Sequence, residues 1–273
     1  MKTSARDLPA APLRRLRAAL LVLAWLAIAA SLPVRAGEGD TLVQFSTIDA
    51  LLAGLYDGVT DVATLRTHGD FGIGTFAGID GEMVVLDGLV YRVSSDGRAP
   101  VAANHETTPF AAVTHFRPDR TLTIPAGTDF DTLQKLLDAA LPSVNLFHAI
   151  RGEGRFRVMR TRSVPRQTKP YRPLVEVIKE QSVFDFSDVA GVLVGLYAPP
   201  LAKGVNSPGY HLHFLTADRA AGGHVLGFTT ERLDLQIDTL SRWQINLPTS
   251  GGFATADLGP DRQDELDRVE GPH

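Results

Sequence analysis

The sequence predicts an α+β fold in which mixed β-sheets predominate and helices are few. Of its 273 residues, 44% are hydrophobic and 21% charged, a globular composition with enough apolar material for one large domain or two small ones. Short β-rich segments separated by glycines occur along much of the chain, whereas helical periodicity occurs in only a few places. The absence of cysteine excludes disulfide frameworks, thiolate metal sites and cysteine nucleophiles.

The expected elements follow from local patterns in chain order. Helical spacing of apolar residues predicts a first helix at 47–56, capped by Ser46 or Thr47, and a second helix at 130–141. Hairpins are predicted between 70 and 93, strands at 110–116 and 120–124, and a strand or hairpin at 146–160. A proline-rich loop over 161–182 leads into a short helix near 174–180. Two strands around Gly191 are predicted within 183–197, then a hairpin of 210–215 and 225–228, and a frayed polar tail after Pro248.

The N-terminus has the pattern of a secretory signal. Arg14, Arg15 and Arg17 precede an apolar run over 18–32, and residues 34–36 include the small side chains that a signal peptidase requires. We therefore expect residues 1–36 to be a cleaved signal peptide and the mature protein to be exported, periplasmic or secreted. An uncleaved anchor is the alternative, but about 15 apolar residues fall short of the roughly 20 that span a bilayer.

The net negative charge argues against a nucleic-acid partner. The formal net charge is −4, and residues 1–36 contain six bases and one acid, so the remaining chain is more acidic still. A nucleic-acid groove requires a basic face, and we expect no nucleic-acid partner. No later segment is apolar for long enough to cross a membrane, so no membrane association is expected after signal cleavage.

Three histidines form the most informative pattern in the chain. In the segment GYHLHFLTADRAAGGHVLGF, a His-x-His pair on a strand places both imidazoles on one face, because side chains alternate with period 2. The glycines of the intervening loop would let the third histidine begin the returning strand opposite the second. Three imidazoles with an open position are typical of a catalytic Zn²⁺ site, and the alternative is ordinary half-buried strand residues. The candidate metal ligands are His211, His213 and His224. The other histidines are interpreted as ordinary residues: His68, His105, His115, His148 and the terminal His273.

Four segments together resemble the acetolactate decarboxylase family. They are FGIGTFAGIDGEMVVLDG, NLFHAIRGEGRF, TRSVPRQTKPYRPLVEV and the histidine segment PGYHLHFLTADRAAGGHVLGF, and the resemblance extends from about residue 41 to residue 270. It implies a zinc enzyme that converts the 2-hydroxy-3-keto acid 2-acetolactate to (R)-acetoin and carbon dioxide. It also implies two halves, each with a mixed sheet: 37–145, and 146–273 with the zinc site and a returning C-terminal tail. A homodimer is expected.

The resemblance assigns roles to four further residues. Glu82 in the DGE turn projects into the pocket, and Arg162 of TRSVPRQ faces the substrate. Glu270 near the C-terminus reaches back to the metal, and Thr75 of GIGTF lines the pocket. Without the resemblance, each glutamate would be interpreted as an ordinary solvated residue.

The implied reaction fits these side chains. Decarboxylation leaves an enediolate that Zn²⁺ can stabilise, so no organic cofactor is required. Arg162 can orient the substrate carboxylate with parallel donors, and Glu82 or Glu270 can deliver the proton. Two other functions stay open at this point. One is an exported metal- or ligand-binding protein without decarboxylase activity, and the other is a hydrolase with a three-histidine zinc site.

Overall fold

The computed structural model describes residues 40–270. The signal-peptide prediction and His273 lie outside the described residues. None of the helices between residues 40 and 270 combines the length and the hydropathy that a membrane-spanning helix requires. The α-helices of the described chain are α1 (Ile48–Leu52), α2 (Val62–Arg66), α3 (Phe130–Ala140), α4 (Leu174–Val177) and α5 (Gln263–Glu270). Short 3₁₀ turns lie at Ile178–Glu180, Pro200–Ala202 and Gly251–Ala254.

Thirteen strands make up most of the described chain. The first eight are β1 (Thr41–Phe45), β2 (Thr60–Asp61), β3 (Phe71–Thr75), β4 (Glu82–Leu86), β5 (Leu89–Val93), β6 (Thr107–Thr108), β7 (Ala111–Thr114) and β8 (Arg120–Ile124). The remaining five are β9 (Phe147–Ser163), β10 (Ser182–Ala198), β11 (Gly209–Thr216), β12 (Gly222–Leu240) and β13 (Arg242–Asn246). Strands far outweigh helices, which confirms the predicted α+β class.

Two large sheets account for eleven of these strands. The first has the order β13-β1-β7-β3-β4-β5, and it is mixed because β1 and β13 run parallel while the other pairs are antiparallel. The second has the order β11-β10-β9-β12-β8 and is antiparallel. β8 joins the second sheet and β13 joins the first, so each sheet includes a strand from a distant part of the chain.

The second sheet closes on itself, because β11 pairs with both β10 and β12. The hairpin of β11 and β12 was predicted, and His213 lies directly opposite His224 as expected. The prediction of two strands around Gly191 is wrong, since β10 is continuous through it. A Cβ on Gly191 would overlap the Leu215 carbonyl and the Phe214 ring, so this glycine permits close strand packing and not a turn.

Alternation along β10 divides the core between the two faces of the second sheet. Val192 and Val194 pack towards the first sheet, while Leu193 packs inside the closed strands with Phe156 and Phe214. Because successive side chains point to opposite faces, one strand contributes to two separate apolar clusters. The second sheet therefore has a buried surface on both sides.

A third apolar cluster joins α1, α4 with the following 3₁₀ turn, and α5, which together we call the helical cap. Helix α1 begins after Thr47, whose side chain accepts a hydrogen bond from the Ala50 N–H, as the predicted cap requires. Helix α5 buries Leu266 and Val269 in this cluster. The interpretation of everything after Pro248 as a frayed tail is therefore wrong, because an amphipathic helix there docks on the domain.

Candidate functional site

The three predicted metal ligands converge at the end of the β11–β12 hairpin. His211 and His213 share one face of β11, and β12 places His224 opposite His213. The Nε2 atom of His211 lies 3.2 Å from Nε2 of His213 and 3.1 Å from Nδ1 of His224. One ligand atom from each residue falls within 4.8 Å of the others. The strand spacing thus brings three imidazole nitrogens together as predicted.

The protonation and orientation of these rings suit a divalent metal ion. The Nδ1–H of His213 donates a hydrogen bond to the Met83 carbonyl at 2.8 Å, which leaves its Nε2 lone pair directed away from that partner. Burial, with the nearby positive charge of Arg162, lowers the pKa of His211 to about 3. Burial also lowers the pKa of His213 well below its ordinary value. Both histidines therefore stay neutral near pH 7, and neutral imidazole nitrogens are donors that Zn²⁺ accepts.

Two carboxyl groups flank the histidines from different elements. Glu82 opens β4 directly after the turn at Gly81 (φ 84°), and its Oε2 lies 3.6 Å from His213 Nε2. Glu270 ends α5, and its Oε2 lies 3.5 Å from His211 Nδ1 and 3.8 Å from His224 Nε2. The structure therefore places both glutamates beside the candidate metal ligands.

Both carboxyl groups are harder to ionise than an exposed glutamate. Burial, reinforced by the charge of Glu270, raises the pKa of Glu82 to about 7, although Arg162 opposes the shift. Burial likewise raises the pKa of Glu270, again against Arg162. A carboxyl group with a pKa near neutrality can hold a proton and also release it, which is the property of a general acid.

Arg162 is the positive group of the site. It lies near the end of β9, opposite His224 on β12, and is only 3% exposed. Its Nη1–H donates to the Gln181 side-chain oxygen at 3.2 Å, and its buried Nε–H finds no hydrogen-bond partner in the part of the chain that the structure describes. Because a buried donor without a partner costs free energy, this guanidinium is suited to an incoming acceptor.

Thr75 lies beside Glu82 but its hydroxyl serves the turn. The two residues are cross-strand partners on β3 and β4. The Thr75 hydroxyl donates to the Gly81 carbonyl at 2.7 Å, so it stabilises the backbone that presents Glu82. Thr75 therefore lines the cavity, but its hydroxyl hydrogen is bonded to the backbone of the turn.

One cavity has a polar side and an apolar wall. Six of the side chains described above form its polar side: Thr75, Glu82, Arg162, His211, His224 and Glu270. The helical cap and Phe110 provide that wall, with side chains that include Ile48, Leu51, Phe110, Leu174, Ile178 and Val269. The cavity can therefore hold a small anion that also carries an alkyl group. Sequence reasoning missed this wall, because its residues show ordinary core periodicity. It also missed Gln181 and the Met83 carbonyl, for which no spacing signal exists.

The basic residues of the loop after Arg162 do not belong to this cavity. Lys169 forms an exposed ion pair with Asp57 at 2.7 Å, and Arg172 pairs with Glu180 at 2.8 Å. These side chains are absent from the cavity lining in the described chain. Exposed ion pairs of this kind are typical of a solvated loop.

Comparison with known proteins gives a consistent result. The family model for alpha-acetolactate decarboxylase matches residues 42–260. An alpha-acetolactate decarboxylase of Methanosarcina mazei is 50% identical over 231 residues, which cover 85% of this chain and 80% of the relative. One from Bacillus subtilis is 40% identical over 231 residues, covering 84% and 91%. The crystal structure of alpha-acetolactate decarboxylase from Bacillus subtilis strain 168 superimposes with a TM-score of 0.83 at 39% identity, covering 85% of this chain and 99% of that one.

The family match contains both sheets, the histidine hairpin, Glu82 and Arg162, whereas Glu270 follows its last matched residue. The agreement covers most of the chain in sequence and in fold. This chain therefore belongs to the alpha-acetolactate decarboxylase family.

Proposed function

We propose that the protein is an acetolactate decarboxylase, a carboxy-lyase that converts 2-acetolactate to (R)-acetoin and carbon dioxide with Zn²⁺ as its cofactor. The observation that carries this proposal is the buried Arg162 beside three converging imidazoles and two carboxyl groups of raised pKa. The family relationship supplies the substrate, since curated relatives bear the name alpha-acetolactate decarboxylase.

His211, His213 and His224 would hold the metal ion. The lowered pKa values of His211 and His213 and the hydrogen bond from His213 to the Met83 carbonyl fit that assignment. When bound there, Zn²⁺ supplies a Lewis acid that favours negative charge on substrate oxygens.

Arg162 binds and orients the substrate carboxylate. A guanidinium can donate two parallel hydrogen bonds to a carboxylate, and the Nε–H of Arg162 is free to take part. The bond between C2 and the carboxylate then breaks, and its electron pair passes towards the neighbouring ketone as carbon dioxide leaves. The product of this step is an enediolate whose C2 must receive a proton.

A carboxyl group supplies that proton. Glu82 and Glu270 are the two candidates, and the pKa of Glu82, raised to about 7, leaves a substantial protonated fraction at neutral pH. Delivery from one fixed side of the cavity gives acetoin of a single configuration. Solvent can restore the proton, because the Glu82 and Glu270 side chains retain 12% and 19% exposure.

We also propose export of this enzyme and assembly as a homodimer. Export is supported by the basic and apolar pattern of residues 14–36, and the dimer by the family resemblance. The acidic charge of the chain supports a small-molecule substrate over a nucleic-acid partner.

The test is a zinc assay on the purified mature chain together with acetoin production from racemic acetolactate, before and after chelation. We expect about one zinc per chain, loss of activity on chelation and recovery when Zn²⁺ is restored. Chiral chromatography should show one acetoin enantiomer. Zinc without turnover would support an exported binding protein, and ester hydrolysis without acetoin would support a hydrolase.

A further inference from the structure

Arg162 has an unusual environment for a buried arginine. Among the described residues it forms no ion pair with a carboxylate, although Glu82 and Glu270 lie near enough to influence each other through charge. Its guanidinium instead donates a hydrogen bond to the side-chain oxygen of Gln181. Buried arginines are usually paired with an acid, so a neutral partner requires an explanation.

The neutrality of this partner has a chemical consequence. An amide oxygen accepts a hydrogen bond from Nη1 but does not neutralise the guanidinium. A carboxylate at the same place would form an ion pair and would repel an incoming anion. The guanidinium has five N–H donors, and Gln181 engages one of its nitrogens. The Nε–H has no partner among residues 40–270.

The position of Gln181 connects Arg162 to the helical cap. Gln181 follows the 3₁₀ turn Ile178–Glu180, and its backbone N–H donates to the Ile178 carbonyl at 3.1 Å. Ile178 in turn lines the apolar wall of the cavity. Gln181 is therefore hydrogen-bonded both to the Arg162 guanidinium and to the backbone of the apolar wall.

We propose that Gln181 is a positioning residue that holds the Arg162 guanidinium through a neutral acceptor, so that its charge stays available to the carboxylate of a 2-hydroxy-3-keto acid. The substrate class rests on the proposed function. The hydrogen bond, the burial and the unpaired Nε–H do not depend on it.

Two variants of similar shape separate charge from hydrogen bonding. Gln181→Glu adds an acid beside Arg162, and Gln181→Met removes the acceptor. The probe is 2-hydroxy-2-methylpropanoate, which has the hydroxyl and carboxylate of the substrate but no ketone, and so cannot lose carbon dioxide by this route. Calorimetry on the zinc-loaded full chain should show affinity about tenfold or more weaker for Gln181→Glu and about threefold weaker for Gln181→Met. KM for acetolactate should rise by similar factors, with a smaller change in kcat.

Gln167 offers a matched control in the same loop. Its side-chain oxygen accepts from Arg172 Nη2 at 2.9 Å, outside the cavity lining. Gln167→Glu adds the same charge beside a different arginine, and probe affinity should stay within about twofold of wild type. In an Arg162→Met background, Gln181→Glu should cause no further loss, because the two residues act through one contact.

Wild-type affinity for the probe in both Gln181 variants would overturn the proposal. The proposal would also be overturned if Gln181→Glu lowered probe affinity by the same factor in the wild-type and Arg162→Met backgrounds. If Gln181→Glu fails to fold or to bind zinc, the same comparison is made with Gln181→Met. Its probe affinity is measured with Arg162 present and in the Arg162→Met background. A wild-type protein that binds the probe but forms no acetoin would refute the decarboxylase function and leave the positioning role intact.

Discussion

Two buried polar regions of this protein differ in how completely their hydrogen bonds are satisfied. Around the fully buried Gln44, the side-chain nitrogen donates to the carbonyls of Ser46 and Val205 at 2.9 and 2.7 Å. Its side-chain oxygen accepts from Asn206 Nδ2 at 2.8 Å and Trp243 Nε1 at 3.2 Å. The amide therefore uses all of its ordinary hydrogen-bonding capacity within the protein.

The cavity around Arg162 shows the opposite arrangement. Within residues 40–270 the Nε–H of Arg162 has no hydrogen-bond partner, and the nitrogens of three histidines face one another. Burial also raises the pKa of Glu82. The difference teaches that the hydrogen bonds around Gln44 stabilise the fold, whereas the cavity holds a buried guanidinium N–H and two buried carboxyl groups that a ligand can engage.

The largest expected effect comes from removing a metal ligand. His213→Ala should abolish zinc binding and lower acetoin formation about a thousandfold or more, because the Lewis acid is lost. The zinc assay and the acetoin assay measure both effects. His105→Ala, at an exposed histidine, is the control and should retain zinc and activity. Full zinc content in His213→Ala would show that the histidine cluster is not the metal site.

The second largest effect is expected from replacing the proposed proton donor, Glu82. Glu82→Gln keeps the shape of the side chain but cannot supply a proton, and kcat should fall about 10²- to 10⁴-fold. Zinc content should stay near wild type, since three imidazoles remain. The control is Glu153→Gln, at an exposed glutamate that pairs with Arg151. A kcat within threefold of wild type would transfer the proposed proton donation to Glu270.

Substitution in the Gln44 cluster should lower stability and leave the chemistry in place. Gln44→Leu leaves the donors of Asn206 and Trp243 without their acceptor, so the free energy of unfolding should fall by about 2–4 kcal/mol. Urea denaturation measures this loss. Gln244→Leu, at an exposed glutamine on the same sheet, should change it by less than about 0.5 kcal/mol. If Gln44→Leu instead lowered kcat without lowering stability, the contrast between the two regions would not hold.

Asp238 lies between these two regions in the degree to which its hydrogen bonds are satisfied. It is a buried carboxyl group that accepts a hydrogen bond from the backbone. It accepts a hydrogen bond from the Arg117 N–H at 2.8 Å, and burial raises its pKa to about 6. Because the folded pKa exceeds the unfolded value, the unfolded state releases its proton first, and stability from this group falls as pH rises from about 4 to about 6.

Asp238→Asn removes that dependence. Relative to wild type, the variant should gain about 1–2 kcal/mol of unfolding free energy between pH 4 and pH 7, measured by urea denaturation at both values. The control is Asp234→Asn, because Asp234 lies on the same strand and its side chain is half-exposed. A stability difference between Asp238→Asn and wild type that is independent of pH would contradict the assignment.

Local pattern was sufficient to predict part of the site. The period of a strand and the glycines of a reversing loop determine that His211 and His213 share a face and that His224 lies opposite. The predicted helix at 174–180 likewise occurs as α4 and its 3₁₀ turn. These features depend on neighbours in the chain.

Other features depend on contacts between distant residues. Glu270 reaches the histidines because Leu266 and Val269 pack α5 against the other helices of the helical cap, and no local signal in a polar C-terminal segment predicts that contact. Gln181 approaches Arg162 through the pairing of β10 with β9. The resemblance located Glu270, whereas Gln181 required the structure.

The parallel pairing of β1 with β13 has a consequence for folding kinetics. Thr41 is in register with Arg242, so this ladder closes a chain segment of about 200 residues. Contacts of such long sequence separation slow folding, because the entropy of loop closure must be overcome before they form. Refolding of the chain should therefore show early formation of the β11–β12 hairpin, and the edge formed by β1 and β13 should be among the last parts to become protected from hydrogen exchange.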